Sequence, residues 1–126
     1  MIVIDTSALM AIVLDAPEAD RCEQALLRES DLAISAVTLS EALIVAGRRD
    51  RGGEMSALLD GLSLKVIPTS EAVARRVAET YSRWGKGNHP AHLNWGDCFS
   101  YVAARDHGCP LLYVGDDFAQ TDLVSA

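Results

Sequence analysis

A three-layer α/β/α sandwich around a central, mostly parallel sheet of four to five strands is the fold the sequence predicts. Three observations carry that reading. Four short runs rich in Val, Ile and Leu, at Met1–Ile4, Leu32–Ile34, Leu64–Ile67 and Leu111–Val114, do not alternate with polar residues, as expected of strands covered on both faces. The stretches between them are long enough for helices, which gives a repeated βα pattern. The chain has 126 residues, the usual length of one domain, so residues 1–126 are expected to share one core without a second module.

Each element has its own local signal. After the first strand, a helix is predicted to start at Thr6 or Ser7 and to run through Leu14, ending near Ala16-Pro17. Pro17 is suited to open a second helix reaching about Arg28, because a first-turn proline gives up an N–H that would be unpaired anyway. Ser35 is a good N-cap for a helix from Ala36 to about Arg49, with Gly52-Gly53 expected to end it. A further helix is read over roughly Glu54–Leu62. Ser70 caps one from Glu71 to Trp84. The Gly and Pro content of Gly85-Lys86-Gly87-Asn88-His89-Pro90 marks a loop. Asn94 then caps a helix that runs to His107 and stops at Gly108, and Leu123–Ala126 is a candidate fifth, short edge strand.

Composition removes several function classes. With 49% apolar and 23% charged residues, the balance is that of a globular protein, not of a disordered or low-complexity chain. The opening Met1-Ile2-Val3-Ile4-Asp5 lacks a positive n-region and breaks its apolar stretch at once, so no signal peptide is read. No run approaches the roughly 18 apolar residues of a membrane span; the expected location is the cytoplasm. Cys22, Cys98 and Cys109 are widely spaced with no CxxC pair, which disfavours a disulfide framework or a zinc site and suits small reduced core residues. The net charge of −7 argues against a broad basic surface for nucleic acid. A nuclease of this charge needs a metal to neutralise its own site and local basic patches, or else a basic partner.

The acidic residues are where the chemistry concentrates. Asp5 directly follows the first strand, and ligands bind at that carboxyl edge of open α/β sheets; helix capping is the plainer explanation. Glu41 is the only acid between Asp31 and Asp50, and Val37, Ile44 and Val45 are its helical neighbours. A helix apolar nearly all round should be buried, and a lone buried carboxylate is costly unless paired or metal-bound. The plainer reading is an exposed stripe with Thr38 and Ser40. Asp97 falls three residues after Asn94, so a capping box explains it locally, yet in the predicted fold its place near the helix start points it toward the same sheet edge as Asp5. Asp116-Asp117 follow the last strand through Gly115; one can cap the turn Phe118-Ala119-Gln120 while the other faces Asp5. Four carboxylates gathered this way repel one another and call for a cation. Hard oxygen donors in that number suit Mg²⁺ or Mn²⁺, and such a site hydrolyses phosphodiesters by activating water and neutralising charge on the phosphate.

Four segments, in order, resemble the motifs of PIN-domain ribonucleases: Val3-Ile4-Asp5-Thr6-Ser7-Ala8-Leu9, Ser40-Glu41-Ala42, Leu93-Asn94-Trp95-Gly96-Asp97-Cys98 and Gly115-Asp116-Asp117-Phe118. The match is to the VapC-type toxins of bacterial type II toxin–antitoxin pairs, in the sub-type with His89-Pro90-Ala91 before the third motif. It covers the whole chain; each motif is weak alone, and four in order are strong. The resemblance implies a PIN fold, a homodimer, inhibition by a cognate VapB-type antitoxin, and Mg²⁺-dependent (or Mn²⁺-dependent) endonucleolytic cleavage of RNA. It implies Asp5 and Asp97 as direct metal ligands, Glu41 as the residue that holds metal-bound water or orients the nucleophile, and Thr6 or Ser7 as support for Asp5. For the fourth acid, the family's Asp-x-Asp-Phe pattern leaves Asp116 and Asp117 open; Asp116 is favoured as a metal ligand because it is nearer the strand end, with Asp117 close behind.

Lys86, His89 and His92 give the loop before Asp97 the best local basic patch, a candidate contact for RNA backbone or simply a solvated loop. Arg48, Arg49 and Arg51 complement a helix C-terminus or touch phosphate or partner. Trp84, Trp95 and Tyr101 are suited to stack bases, with core or dimer packing the plainer role. The main rival class is a receiver-type phosphoacceptor domain, but Leu64–Ile67 is followed by Pro68-Thr69 rather than an Asp, and no Lys follows Lys86. A non-catalytic PIN-like binding module is disfavoured because all four acidic positions are filled.

Overall fold

The computed structural model describes residues 1–126. Its elements are β1 (Ile2–Ile4), α1 (Thr6–Val13), α2 (Ala19–Arg28), β2 (Leu32–Ser35), α3 (Ala36–Arg48), α4 (Gly52–Gly61), β3 (Lys65–Ile67), α5 (Glu71–Trp84), α6 (Trp95–Asp106), β4 (Leu111–Leu112) and a 3₁₀ turn at Phe118–Gln120. The strands form one sheet in the order β3-β2-β1-β4, and every pairing is parallel. The α/β sandwich read from the sequence is therefore the fold observed.

Strand periodicity decides which layer each side chain joins. Ile2, Ile4, Leu32, Ile34 and Leu112 pack with α1 to α4 on one face, while Val3, Ala33 and Leu111 pack with α5 and α6 on the other. The neighbours Val3, Ala33 and Leu111 are aligned across β1, β2 and β4 and all are fully buried. Burial on both faces explains the unbroken apolar runs.

The topology fixes where a site can form. The chain steps from β1 to β2 to β3 in one direction and then returns to place β4 on the other side of β1. The reversal puts a topological switch point between β1 and β4, with their carboxyl ends at the same edge. Asp5 follows β1 there, and the segment 113–117 follows β4.

Three helices end in the same way. In α1, α3 and α6 the chain turns through a left-handed residue, Asp15 (φ 52°), Asp50 (φ 56°) and Gly108 (φ 58°). At each, the paired Schellman bonds form; for α3 these are Asp50 N–H to Gly47 O at 3.2 Å and Arg51 N–H to Ala46 O at 2.8 Å. Gly108 ends α6 as expected. Gly52-Gly53 does not end α3; the aspartate two residues earlier does, and the glycines open α4 instead. Asp tolerates the left-handed region better than other non-glycine residues, so the break was hidden behind a more conspicuous glycine pair.

Other boundaries also move. The first helix stops at Val13, and Pro17 lies in the turn before α2, which begins at Ala19. β3 is an edge strand with Lys65 and Val66 exposed, so Leu64–Ile67 is not covered on both faces. The tail contributes a single parallel bridge, Leu111 to Ser125, rather than a fifth strand. Only Thr38, Ala42 and Ala46 of α3 are buried, and Leu43 and Ile44 face solvent. The expectation that α3 is enclosed all round is thus overturned. No helix is long and apolar enough to cross a membrane, and all three cysteines are free.

Candidate active site

Asp5 is 3% exposed, and both of its carboxylate oxygens are held. Oδ2 accepts from the Ser7 N–H at 3.0 Å and the Ser7 hydroxyl at 2.7 Å, which makes Asp5 the N-cap of α1. Oδ1 accepts from the Ser100 hydroxyl at 2.6 Å. Ser100, in mid-α6, is itself fully buried and lies 3.1 Å from the Thr38 hydroxyl. Because the Ser100 proton points to Asp5, Thr38 is the donor in that second bond. A relay of hydroxyls from α3 through α6 thus orients the carboxylate that caps α1. The Ser7 oxygen also accepts from the Val114 N–H at 3.0 Å, tying the segment after β4 to the same corner.

Glu41 reaches this corner from α3. The Thr6 hydroxyl, on the first residue of α1, donates to Glu41 Oε1 at 2.6 Å. The other oxygen lies against α6: a Cβ added to Gly96 would stand 2.6 Å from Glu41 Oε2. Residue 96 has room for a hydrogen and nothing larger while Glu41 keeps this position.

Asp97 enters on the first turn of α6. The capping box expected from spacing is present, with Asp97 Oδ2 accepting from the Asn94 N–H at 2.9 Å and Asn94 Oδ1 accepting from the Asp97 N–H at 2.8 Å. Burial pushes its carboxyl up from the ordinary 3.8 to about 7. The Asn94 N–H works in the opposite direction, and the charges of Asp5, Glu41 and Asp117 add to the rise. Asp97 therefore sits in one electrostatic field with three other acids that are far apart in sequence. Asp117 is the late acid named among those whose charge raises it; Asp116 and Asp117 are both exposed.

The basic candidates stand apart from this cluster. His89 accepts from the Ala91 N–H through Nδ1 at 3.0 Å and sets its ring edge-on to Trp84, 4.7 Å between centroids. Lys86 and His92 are exposed, and no ion pair joins Lys86, His89 or His92 to the acids. Trp84 donates to the Tyr101 hydroxyl, which donates to Asp122, so those two aromatics are committed to holding the C-terminal segment.

Sequence reasoning passed over three contributors. Ser100 reads as an ordinary helical serine, and Gly96 as a small residue beside an acid. Arg21 on α2 donates to the Tyr113 carbonyl at 3.1 Å and so anchors the segment leading to Asp116 and Asp117. A signal for Ser100 did exist: at three residues from Asp97 it lies near the same side of the helix.

As the side chains lie, no three His, Cys, Asp or Glu groups are closed around a point that a metal ion could fill. The donor set nevertheless suits a hard divalent cation. It is all oxygen, it carries four formal negative charges, and three of them add to the burial that raises Asp97 to about 7. A divalent cation relieves that crowding, and Glu41 and Asp117 are not fully buried, which leaves them free to adjust.

Comparison with known proteins identifies the family. Residues 2–123 match the family model described as PIN domain. Ribonuclease VapC of Mycolicibacterium smegmatis is 41% identical over 128 residues, covering 98% of this chain and 98% of that one. In fold, the chain resembles the Mycobacterium tuberculosis toxin VapC20, described as cleaving the sarcin-ricin loop, with a TM-score of 0.82 at 15% identity over 100% of this chain and 98% of that one. It also resembles a toxin–antitoxin complex from Klebsiella pneumoniae, with a TM-score of 0.74 at 20% identity over 100% and 97% of the two chains. A family model spanning nearly the whole sequence, together with a full-length relative at this identity, shows that the chain belongs to the PIN-domain family, among the VapC ribonucleases.

Proposed function

We propose that this chain is a Mg²⁺- or Mn²⁺-dependent endoribonuclease that acts as the toxin of a toxin–antitoxin pair. The observation that carries the reading is the convergence of Asp5, Glu41, Asp97 and Asp117 on the switch point of the sheet, in a chain whose full-length relative is a ribonuclease. Asp5, Asp97 and one acid after β4 hold the cation. The charge of Asp117 contributes to the rise at Asp97, which supports Asp117 for that third place. When bound, a divalent cation neutralises charge building on the phosphate and favours loss of a proton from the attacking water.

The protein's own groups do the rest. Asp5, gripped by three donors, is fixed before substrate arrives, so no reorganisation is needed on binding. Thr6 holds Glu41 through Oε1 and leaves Oε2 to orient the attacking water and accept its proton. Asp97 is positioned by its capping box, and Ser7 couples Asp5 to the chain that carries Asp117. Lys86 and His92, exposed on the loop entering α6, are available to backbone phosphates, whereas His89 is used internally. A homodimer and an antitoxin of VapB type complete the reading; the net charge of −7 suits a basic partner segment.

The test is incubation of the purified chain with total cellular RNA in Mg²⁺ or in EDTA. Discrete cuts with Mg²⁺, absent with EDTA and absent for Asp5→Ala and Asp97→Ala, are expected, and cells making either variant should outgrow those making the intact protein. Cuts that persist in EDTA or in Asp97→Ala overturn the assignment, as does a complete lack of cutting.

A further inference from the structure

Trp95 has no internal role that explains its exposure. It is the first residue of α6 and is 64% exposed. Phe99, 5% exposed, meets its indole edge-on with 4.8 Å between centroids and supports it from below. The next residue, Gly96, lies against the Glu41 carboxylate. Trp95 therefore borders the acidic cluster from outside. It forms one wall of a groove of about 350 Å³ whose other walls include Val37, Glu41, Ile44 and Arg48.

That groove has a polarity. Glu41, Ile44 and Arg48 follow one another at three and four residues on a single face of α3, so the acid and the arginine are separated by about 10 Å along the helix axis. Glu41 closes the end belonging to the acidic cluster. Arg48 occupies the other end, and neither it nor Arg49 has a carboxylate within ion-pair distance. An apolar, aromatic floor between a hydrolytic site and an uncommitted cation is complementary to a nucleotide: a flat base for the indole, a phosphate for the guanidinium.

We propose that Trp95 is the stacking platform for the RNA base next to the scissile phosphate, and that Arg48 holds a neighbouring phosphate. The inference rests on the ribonuclease reading above and adds a residue that positions substrate and contributes to the choice of cut site. Stacking accepts any base, so the platform sets affinity and register.

Two measurements test it. In the first, Trp95 emission is followed in EDTA while a mixed-sequence decamer of single-stranded RNA is added, with an abasic phosphodiester of equal length as control. Trp84 is buried, so a saturable quench by RNA that is absent with the abasic strand, and absent in Trp95→Phe, supports the platform. In the second, rates are measured on a synthetic RNA spanning a cut mapped in total RNA. Trp95→Ala should raise KM about tenfold while Trp95→Phe keeps most of the affinity. Arg48→Ala should flatten the dependence of log K on log salt by about 0.7, one phosphate on a single strand. An unchanged KM in Trp95→Ala, with cutting intact, overturns the platform and leaves the nuclease reading standing. A smaller sedimenting species for Trp95→Ala than for the intact chain also overturns it, because the groove is then covered by a second copy. An intact chain that quenches but does not cut breaks the nuclease reading alone.

Discussion

Replacing Asp97 by Asn should stabilise the metal-free protein while destroying its activity. The carboxyl is held at about 7 against an ordinary 3.8. At about 1.4 kcal/mol per pH unit, that difference corresponds to ~4 kcal/mol of destabilisation when the group is charged in the folded state. Solvent reaches this half-buried group, and screening brings the figure down to about 2 kcal/mol. Asn keeps an oxygen to accept from the Asn94 N–H, so the capping box survives, but about 0.5 kcal/mol is lost with the charge at the helix N-terminus. The net gain is about 1.5 kcal/mol, or roughly 5 °C in Tm for a domain of this length. The pH dependence has a definite sign. The folded state has the higher proton affinity, so between pH 3.8 and about 7 it binds a proton that the unfolded chain has lost, and wild-type stability falls as pH rises through that window. Above it the penalty is complete; below it there is none. Thermal unfolding in EDTA should therefore show Asp97→Asn more stable at pH 8 and equal to wild type near pH 4. Added Mg²⁺ should raise the wild-type Tm by mass action and leave the variant unmoved. A variant less stable than wild type at pH 8, or one with the same gain at pH 4, would refute the reasoning.

Gly96→Ala places a methyl where Glu41 Oε2 now lies. The end of that side chain can swing away, so Tm should change little while kcat falls about 100-fold, the penalty of a misplaced group near the reacting atoms. Ser100→Ala removes the buried donor to Asp5 Oδ1 and strands the Thr38 hydroxyl; urea denaturation should show a loss of about 2 kcal/mol, and the Mg²⁺ response should weaken with it. Asp50→Gly relieves a side chain at φ 56° on an exposed turn and should add about 0.5–1 kcal/mol by the same measurement, with cleavage unchanged.

Much of the fold was legible because β1, β2 and β4 are buried on both faces, and such strands must be continuously apolar. The helix starts at Ser35, Ser70 and Asn94 were legible for a different reason: each side chain satisfies an N–H that has no partner within the helix. Features set by neighbours at long range were harder. Nothing in Leu64–Ile67 says that one edge of its strand meets no partner, and nothing in Leu43-Ile44 says that no layer lies over them. Gly52-Gly53 looked like a stop because glycine is the commonest left-handed residue, and the aspartate that filled the position was unremarked. At the candidate site, Asp5 and Asp97 stood out through what precedes them: a strand end and a capping asparagine. Asp116 and Asp117 are adjacent in a segment without periodicity, so sequence alone does not say which one joins Asp97. Ser100 and Gly96 matter only through residues 95 and 55 positions away, and such pairings become visible when the helices are packed.

Three dispersed acids, Asp5, Asp97 and Asp117, are proposed to form a single cation site. Binding of Mn²⁺ at pH 8, followed by water-proton relaxation on intact protein and on Asp5→Asn, Asp97→Asn, Asp116→Asn and Asp117→Asn, tests this most directly. Affinity lost at least tenfold in the Asp5, Asp97 and Asp117 variants, and kept in Asp116→Asn, is the expected pattern. Undiminished Mn²⁺ binding by Asp5→Asn or Asp97→Asn would contradict it.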